Sequence, residues 1–223
     1  LLARLHGDLE FTPVFPETEE TSAPVIERYP PSRDYEKHNR ELKRARRFLK
    51  QRSQKTWFEI RLSAVIDPFL EEARQLCEEW KEIELAASDS GEEVPLCFCH
   101  GDYQYHNILR QDRGFFLVNF EKCQADGPVR DLYLLLRKLL EKSEWDAEWG
   151  RVLLAAYESV RPLKPYERQD LFYRLSYPEK LWKIVNFYYN SGKAWIPEKN
   201  QEKLDRLLEQ EAARKKFLKL LQR

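Results

Sequence analysis

The clearest indication of the fold is the polar stretch at residues 100–107, which reads His-Gly-Asp-Tyr-Gln-Tyr-His-Asn. Residues 94–99, just before it, are apolar and bounded by turn residues, as expected of a buried strand. After it, residues 107–110 and 115–118 flank Asp-Arg-Gly at 112–114, a turn sequence typical of a hairpin in which glycine takes the positive φ. The sequence therefore predicts a strand, a loop and a β-hairpin in succession.

The loop carries two side chains suited to phosphoryl transfer. The carboxylate of Asp102, at a strand exit, can accept the proton of an attacking hydroxyl. The carboxamide of Asn107, five residues later, can present its oxygen to Mg²⁺ bound by nucleotide phosphates. The alternative is that His-Gly-Asp forms a tight turn in which the aspartate caps a backbone amide. The loop alone leaves both interpretations open, and the hairpin after it favours the first.

Helical periodicity dominates the chain on both sides of the loop. Residues 58–80 draw one apolar stripe through about six helical turns. Residues 35–49 repeat the pattern among many lysines and arginines, and beyond Pro128 helices are predicted to the end, including one over 171–182. Residues 11–32 hold five prolines and are predicted to be an exposed linker. The predicted fold class is α+β, mostly α, with helices around a small β-hairpin.

Composition narrows the class of protein. Lysine plus arginine and aspartate plus glutamate balance at 38 each, so net charge gives no support to nucleic-acid binding. The longest apolar runs fall far below the ~20 residues that span a bilayer, and acidic residues follow the N-terminus too soon for a secretory signal. We therefore expect synthesis in the cytoplasm and no membrane partner.

The four cysteines are too few for a disulfide scaffold, and we expect no structural disulfide. Cys97, Cys99 and Cys123 with His100 could suggest zinc. Strand alternation, however, places Cys97 and Cys99 on one face as small hydrophobic residues, and no second ligand pair follows. The sequence therefore disfavours a zinc site.

The loop and hairpin resemble those of the aminoglycoside-phosphotransferase-like kinases. The pattern of that family is His-Gly-Asp, four residues, Asn, and then a hairpin ending in an acidic metal ligand. Where the family reads Ile-Asp-Phe-Asp or Ile-Asp-Phe-Glu, residues 118–121 of this chain read Val-Asn-Phe-Glu. Asn119 is isosteric with aspartate but neutral, so Mg²⁺ affinity is expected to fall. Strand alternation would place Glu121 on the same side, where it either compensates or forms an ordinary surface pair.

A longer resemblance runs through residues 128–133 and 177–197. These segments are similar to the CotS-type spore-coat proteins, a branch of the same kinases found in spore-forming bacteria, and the likeness covers roughly residues 95–222. The resemblance implies that Asp131 braces the catalytic loop by accepting backbone or histidine hydrogen bonds, with His100 and Arg130 as further structural support. The aromatic residues of 177–195 could form a docking surface, but helical spacing favours core packing.

The same resemblance implies an N-terminal lobe that carries a nucleotide-covering loop and a phosphate-anchoring lysine. No glycine-rich loop is present here, so we expect the chain to be a kinase-like C-terminal lobe with its N-terminal lobe missing. Residues 1–32 are interpreted as the end of an inter-lobe helix and the linker, and residues 33–223 as the lobe itself. The sequence contains no methionine, and we expect translation to start upstream.

Two functions are compatible with these residues. One is an ATP-dependent phosphotransferase acting on a small-molecule or protein hydroxyl, with Asp102 as base, Asn107, Asn119 and Glu121 at the metal, and Mg²⁺ and ATP as cofactors. The other is a pseudokinase without cofactors that serves in spore-coat assembly, with other coat proteins as partners and the coat as its location. We favour the second, because Asn119 replaces the principal metal carboxylate.

Overall fold

The computed structural model describes residues 1–11, 31–89, 96–112, 114–190 and 197–222. Most of the predicted linker, and residues 94 and 95 of the predicted strand, lie outside the described residues. The chain forms two compact units. The first comprises residues 1–29, 91–174 and 216–223, and the second comprises residues 30–90 and 175–215.

Helices supply most of the secondary structure of the described residues. In chain order the elements are α1 (Leu2–Asp8), β1 (Glu10–Phe11), α2 (Pro31–Gln51), α3 (Trp57–Asp89), β2 (Leu96–Cys99), β3 (Ile108–Gln111), β4 (Gly114–Leu117), β5 (Gln124–Asp126), α4 (Val129–Lys142), α5 (Ala147–Glu158), α6 (Pro165–Ser176), α7 (Glu179–Asn190) and α8 (Pro197–Leu221). Two 3-10 turns, Tyr105–Asn107 and Phe120–Lys122, flank the β3–β4 hairpin. None of the helices described is long and apolar enough to cross a membrane.

Strand β2 is the centre of a three-stranded antiparallel sheet in the first unit. It pairs with β1 on one side and β5 on the other, so Cys97 lies opposite Glu10 and Asp126. Cys97 and Cys99 are fully buried, whereas Phe98 between them is 47% exposed. The predicted strand and its alternation are confirmed for residues 96–99. The partner strands were not predicted, because segments of two and three residues are too short to show a period.

The predicted hairpin is confirmed. Strands β3 and β4 pair antiparallel, with Ile108 opposite Leu117 and Gln111 opposite Gly114. Gly114 has φ +144°, in the region that favours glycine, as predicted. The hairpin delivers its two ends, Asn107 and Val118, to the same place, where the Val118 amide donates to the Asn107 carbonyl over 3.1 Å.

Helix α4 follows the sheet directly and buries the face that carries Leu132, Leu136 and Leu140. It contacts α5, where Gly150 gives room for the ring of Phe217 on the last turns of α8. A Cβ atom at Gly150 would lie 2.2 Å from that ring, so only glycine permits this approach.

The second unit is a helical core built from α2, α3, α7 and the first part of α8. Its fully or nearly fully buried apolar residues share the helical spacing seen in the sequence: Leu42, Ala45, Leu49, Phe58, Leu62, Ile66, Phe69, Leu181, Ile184, Val185 and Leu204. The stripe predicted over residues 58–80 is confirmed as one face of α3. The single helix predicted over 171–182 is wrong. Pro178 lacks an amide hydrogen, and the chain breaks into α6 and α7 around it.

The aromatic residues of α7 are divided between the core and the surface of the second unit. Trp182 stacks on His38 with ring centroids 3.4 Å apart, and its indole nitrogen donates to Glu41 over 2.6 Å. Phe187 is 44% exposed, so the expectation of core packing is wrong for this residue. Trp182 and Tyr189 also line a groove of about 250 Å³ beside Phe48.

Candidate functional site

The loop of residues 100–107 is held by a tight backbone turn. Gly101 has φ +75°, and a Cβ atom there would lie 2.1 Å from the carbonyl oxygen of Lys122. Glycine is thus needed for both its conformation and its close approach to the 3-10 turn at 120–122. The turn brings Asp102 next to the chain segment that leaves the hairpin.

Asp131, in the first turn of α4, accepts the two backbone amides at the start of the loop. Its fully buried carboxylate accepts from the His100 amide over 2.5 Å and from the Gly101 amide over 2.9 Å. Bonds from amides to a buried carboxylate are stronger than neutral ones, so they fix the loop firmly on α4. Burial, with the negative charge of Asp131, raises the pKa of the nearby Tyr103 to about 12.

The ring of His100 joins the loop to the end of the hairpin. Its Nε2 lies 2.9 Å from the Val118 carbonyl oxygen, and its Nδ1 lies 3.2 Å from the Asp102 amide nitrogen. Since a carbonyl can only accept and an amide can only donate, Nε2 carries the proton. The guanidinium of Arg130 pairs with Asp126 over 2.8 Å at the end of β5.

Asp102 is partly exposed and forms an ion pair with Lys122. One carboxylate oxygen accepts from the Gln104 amide over 2.7 Å, and the other lies 3.2 Å from the Lys122 ammonium. Burial acts to raise the pKa of Asp102, but the hydrogen bond and charge of Lys122, with the charge of Lys138, outweigh it and hold that pKa below its ordinary value. Asp102 is therefore a charged carboxylate with a cation already beside it.

Asn107 is buried, and both ends of its carboxamide are occupied. Its nitrogen donates to the Asp102 carbonyl over 2.8 Å, and its oxygen accepts from the Asn119 side-chain nitrogen over 2.9 Å. The structure thus brings together Asp102, Asn107 and Asn119, three of the residues that the sequence predicted for the site.

The prediction that strand alternation places Glu121 on the same side as Asn119 is wrong. Strand β4 ends at Leu117, Asn119 is left-handed at φ 65° and ψ 58°, and residues 120–122 form a 3-10 turn. Asparagine tolerates this conformation better than most residues, which is a local reason for the strand to end here. The Glu121 side chain is exposed, and within the described residues it forms no hydrogen bond or ion pair.

Sequence reasoning missed Lys122, Gln104 and His6 as neighbours of this site. Lys122 and Gln104 hold the Asp102 carboxylate, while His6 on α1 lies with its Nε2 3.6 Å from Asp131. For Lys122, the one feature of the sequence that could have indicated a place near the site is its position directly after residues 118–121. His6 gave none, because nothing in the sequence links it to residues so far along the chain.

Comparisons with known proteins show the family and the fold of the chain. The family described as "Spore coat putative kinase YutH" matches residues 71–221, more than half of the chain. Spore coat protein S of Bacillus subtilis (strain 168) is 32% identical over 123 residues, which cover 54% of this chain and 35% of that protein. The chain thus spans about a third of the length of this curated relative.

A solved structure shares the fold. The crystal structure of an aminoglycoside phosphotransferase from Alicyclobacillus acidocaldarius superposes with a TM-score of 0.80 and 19% identity, over 99% of this chain and 63% of that one. At this identity the likeness establishes the fold and not the activity. The chain belongs to the spore coat kinase-like family of YutH and has the kinase-like fold of the aminoglycoside phosphotransferases.

Proposed function

We propose that this chain is the kinase-like part of a spore-coat pseudokinase, which has kept the fold, lost the phosphotransfer chemistry and serves in coat assembly with other coat proteins as partners. The observation that carries the proposal is the hydrogen bond from the Asn119 amide to the Asn107 oxygen. The coat location rests on the family and on the named relative, spore coat protein S.

The orientation of the two carboxamides follows from a chain of donors and acceptors. The Asp102 carbonyl only accepts, so Asn107 must turn its NH₂ group toward it. The Asn107 oxygen then faces Asn119, which must answer with its own NH₂ group. An aspartate at 119 would leave two oxygens facing each other, an arrangement that a cation between them relieves. With asparagine the pair is satisfied without an ion.

The residues present therefore do not fit a magnesium–nucleotide complex. Mg²⁺ requires near-octahedral oxygen ligands, and here an N–H donor occupies the oxygen that Asn107 would offer. Lys122 also sets an ammonium group beside the carboxylate that would act as base. The lowered pKa of Asp102 also makes this carboxylate a weaker acceptor for the proton of an attacking hydroxyl.

An Asp102→Asn substitution in the full-length protein tests the assembly role. The variant gene replaces the native copy in a spore-forming host, and coat protein composition and lysozyme resistance of the spores are compared with those of the native strain and of a deletion strain. The proposal predicts spores like those of the native strain, because a carboxamide keeps the loop intact while removing the base. Spores like those of the deletion strain would instead support an active phosphotransferase.

Asp131→Asn provides the matched control, since it makes the same chemical change at a fully buried position. Asp131 accepts two loop amides, so this variant should destabilise the protein and lower its amount in the coat. If Asp131→Asn has no effect either, the assay does not report on this protein, and the amount of the variant in the coat must be measured directly by immunoblot.

A further inference from the structure

Three potential metal ligands from separate parts of the sequence meet in the interior of the first unit. His6 lies on α1, and Cys97 and Cys99 lie on the inward face of β2, which contacts α1. Each offers one ligand atom, and all three atoms lie within 4.8 Å of one another. All three residues are 0% exposed. The phosphotransfer residues described above use none of these side chains.

The two sulfur atoms have a separation suited to a shared ion. Cys97 Sγ and Cys99 Sγ lie 3.6 Å apart. Two sulfurs at about 2.3 Å from a tetrahedral zinc ion are separated by about 3.8 Å, so both could bind one ion with little movement. Residues two apart on a strand point to the same face, which explains how a four-residue strand supplies both thiols.

The imidazole of His6 points one nitrogen into this space without a hydrogen-bond partner. Its Nδ1 is bonded to the Tyr157 hydroxyl at 2.8 Å, while its buried Nε2 has no hydrogen-bond partner. The closest acidic oxygen, Oδ2 of Asp131, is 3.6 Å away and beyond hydrogen-bond distance. Buried polar atoms are nearly always paired, so an unpaired imidazole nitrogen beside two thiols indicates an absent partner.

We propose that His6 Nε2, Cys97 Sγ and Cys99 Sγ bind one structural Zn²⁺ ion. Two thiolates and an imidazole are the ligands that select zinc over Mg²⁺. Tyr157 holds the other imidazole nitrogen, as an outer-shell partner of a metal-binding histidine does.

Binding exchanges two protons for the ion. The Cys99 thiol donates to the Gly127 carbonyl over 3.3 Å. Zinc entry forms two Zn–S bonds and one Zn–N bond and releases the two thiol protons to solvent, so affinity rises with pH. The ion would tie α1 to β2 immediately before His100, and it is independent of the proposed function.

The test uses the full-length protein, purified without chelator. Elemental analysis is expected to find about one zinc per chain, as for a structural site. Cobalt exchanged into the protein should give the thiolate-to-cobalt charge-transfer absorption and intense visible bands of a tetrahedral site, which one equivalent of zinc abolishes. Cys97→Ser and Cys99→Ser should each lose the bound metal, whereas Cys77→Ser, at a buried thiol of the second unit, should keep it.

Several results would overturn the proposal. These are zinc below about a tenth of an equivalent, a cobalt spectrum without thiolate bands, or full metal content in Cys97→Ser and Cys99→Ser. If the serine variants fail to fold, the cobalt spectrum of the unsubstituted protein decides alone, because charge transfer reports sulfur ligation directly. Exposed Cys123 is replaced by serine in every sample, so that a surface thiol cannot supply the signal.

Discussion

Replacing Gly101 with alanine should destabilise the protein through one backbone contact. The left-handed conformation costs an alanine about 1–2 kcal/mol. The Lys122 carbonyl oxygen, 2.1 Å from the new Cβ atom, must also retreat by about 0.9 Å to reach 3.0 Å, and such overpacking costs about 1–3 kcal/mol. Alanine also lowers the conformational entropy of the unfolded chain, which stabilises the folded state by about 0.4–1 kcal/mol. The net loss is about 3 kcal/mol, or a fall in Tm of about 6–12 °C for a chain of this size.

The assay is thermal unfolding followed by circular dichroism, with two other glycines as matched controls. Gly7 lies in α1 with nothing within 4 Å of an added Cβ, so Gly7→Ala should stabilise by about 0.5–1 kcal/mol. Gly114 has φ +144° and open space around it, so Gly114→Ala should show a conformational cost without a steric contact. A Gly101→Ala protein whose Tm lies less than about 3 °C below that of the unsubstituted protein would refute the argument, because the contact would then contribute nothing.

Three further predictions concern charged or titratable groups. Asp131→Asn should lower the free energy of unfolding in urea by about 2–4 kcal/mol, because one amide oxygen cannot replace a buried carboxylate that accepts two backbone amides. A decrease below about 1 kcal/mol would contradict this. Lys122→Ala should raise the pKa of Asp102 in an NMR titration, because the variant removes the cation but leaves the carboxylate as buried as before. The free energy of unfolding should change by less than about 1 kcal/mol. An unchanged pKa would show that the ion pair does not form. Burial lowers the pKa of His38 against the opposing charge of Glu179, so the folded state favours the neutral ring. Stability should therefore fall as pH drops below the ordinary value of about 6.5, and His38→Gln should remove that part of the slope; an identical slope in both proteins would exclude this cause.

The parts of the fold that could be predicted are those with long or strongly marked patterns. The stripe of α3 spans many turns, and the hairpin is marked by a glycine that needs positive φ. Strands β1 and β5 could not be predicted, because two or three residues show no period and exist only through pairing with β2. The break between α6 and α7 could have been predicted from Pro178. It was missed because the apolar pattern of residues 171–182 continues across the proline.

The residues of the candidate site can also be separated into those that the sequence could predict and those that it could not. Asp102 and Asn107 could be predicted because they lie five residues apart on one loop, which is a local property, whereas Asn119 was predicted from the resemblance of residues 118–121 to the kinase pattern. The direction of the Glu121 side chain could not be predicted, because the prediction assumed that a strand continues through residue 119. Asn119 is instead left-handed, and a 3-10 turn follows it. The His6 cluster could not be found either, because only tertiary packing brings α1 to β2.

Calorimetric titration of the full-length protein with Mg-ATP, beside an Asn119→Asp version, tests the loss of metal chemistry most directly. Asn190→Asp, at an exposed asparagine of α7, adds the same charge elsewhere and serves as control. The account predicts weak binding to the native protein and to the control, and binding at least about tenfold tighter to Asn119→Asp. Tight, magnesium-dependent binding to the native protein would contradict it.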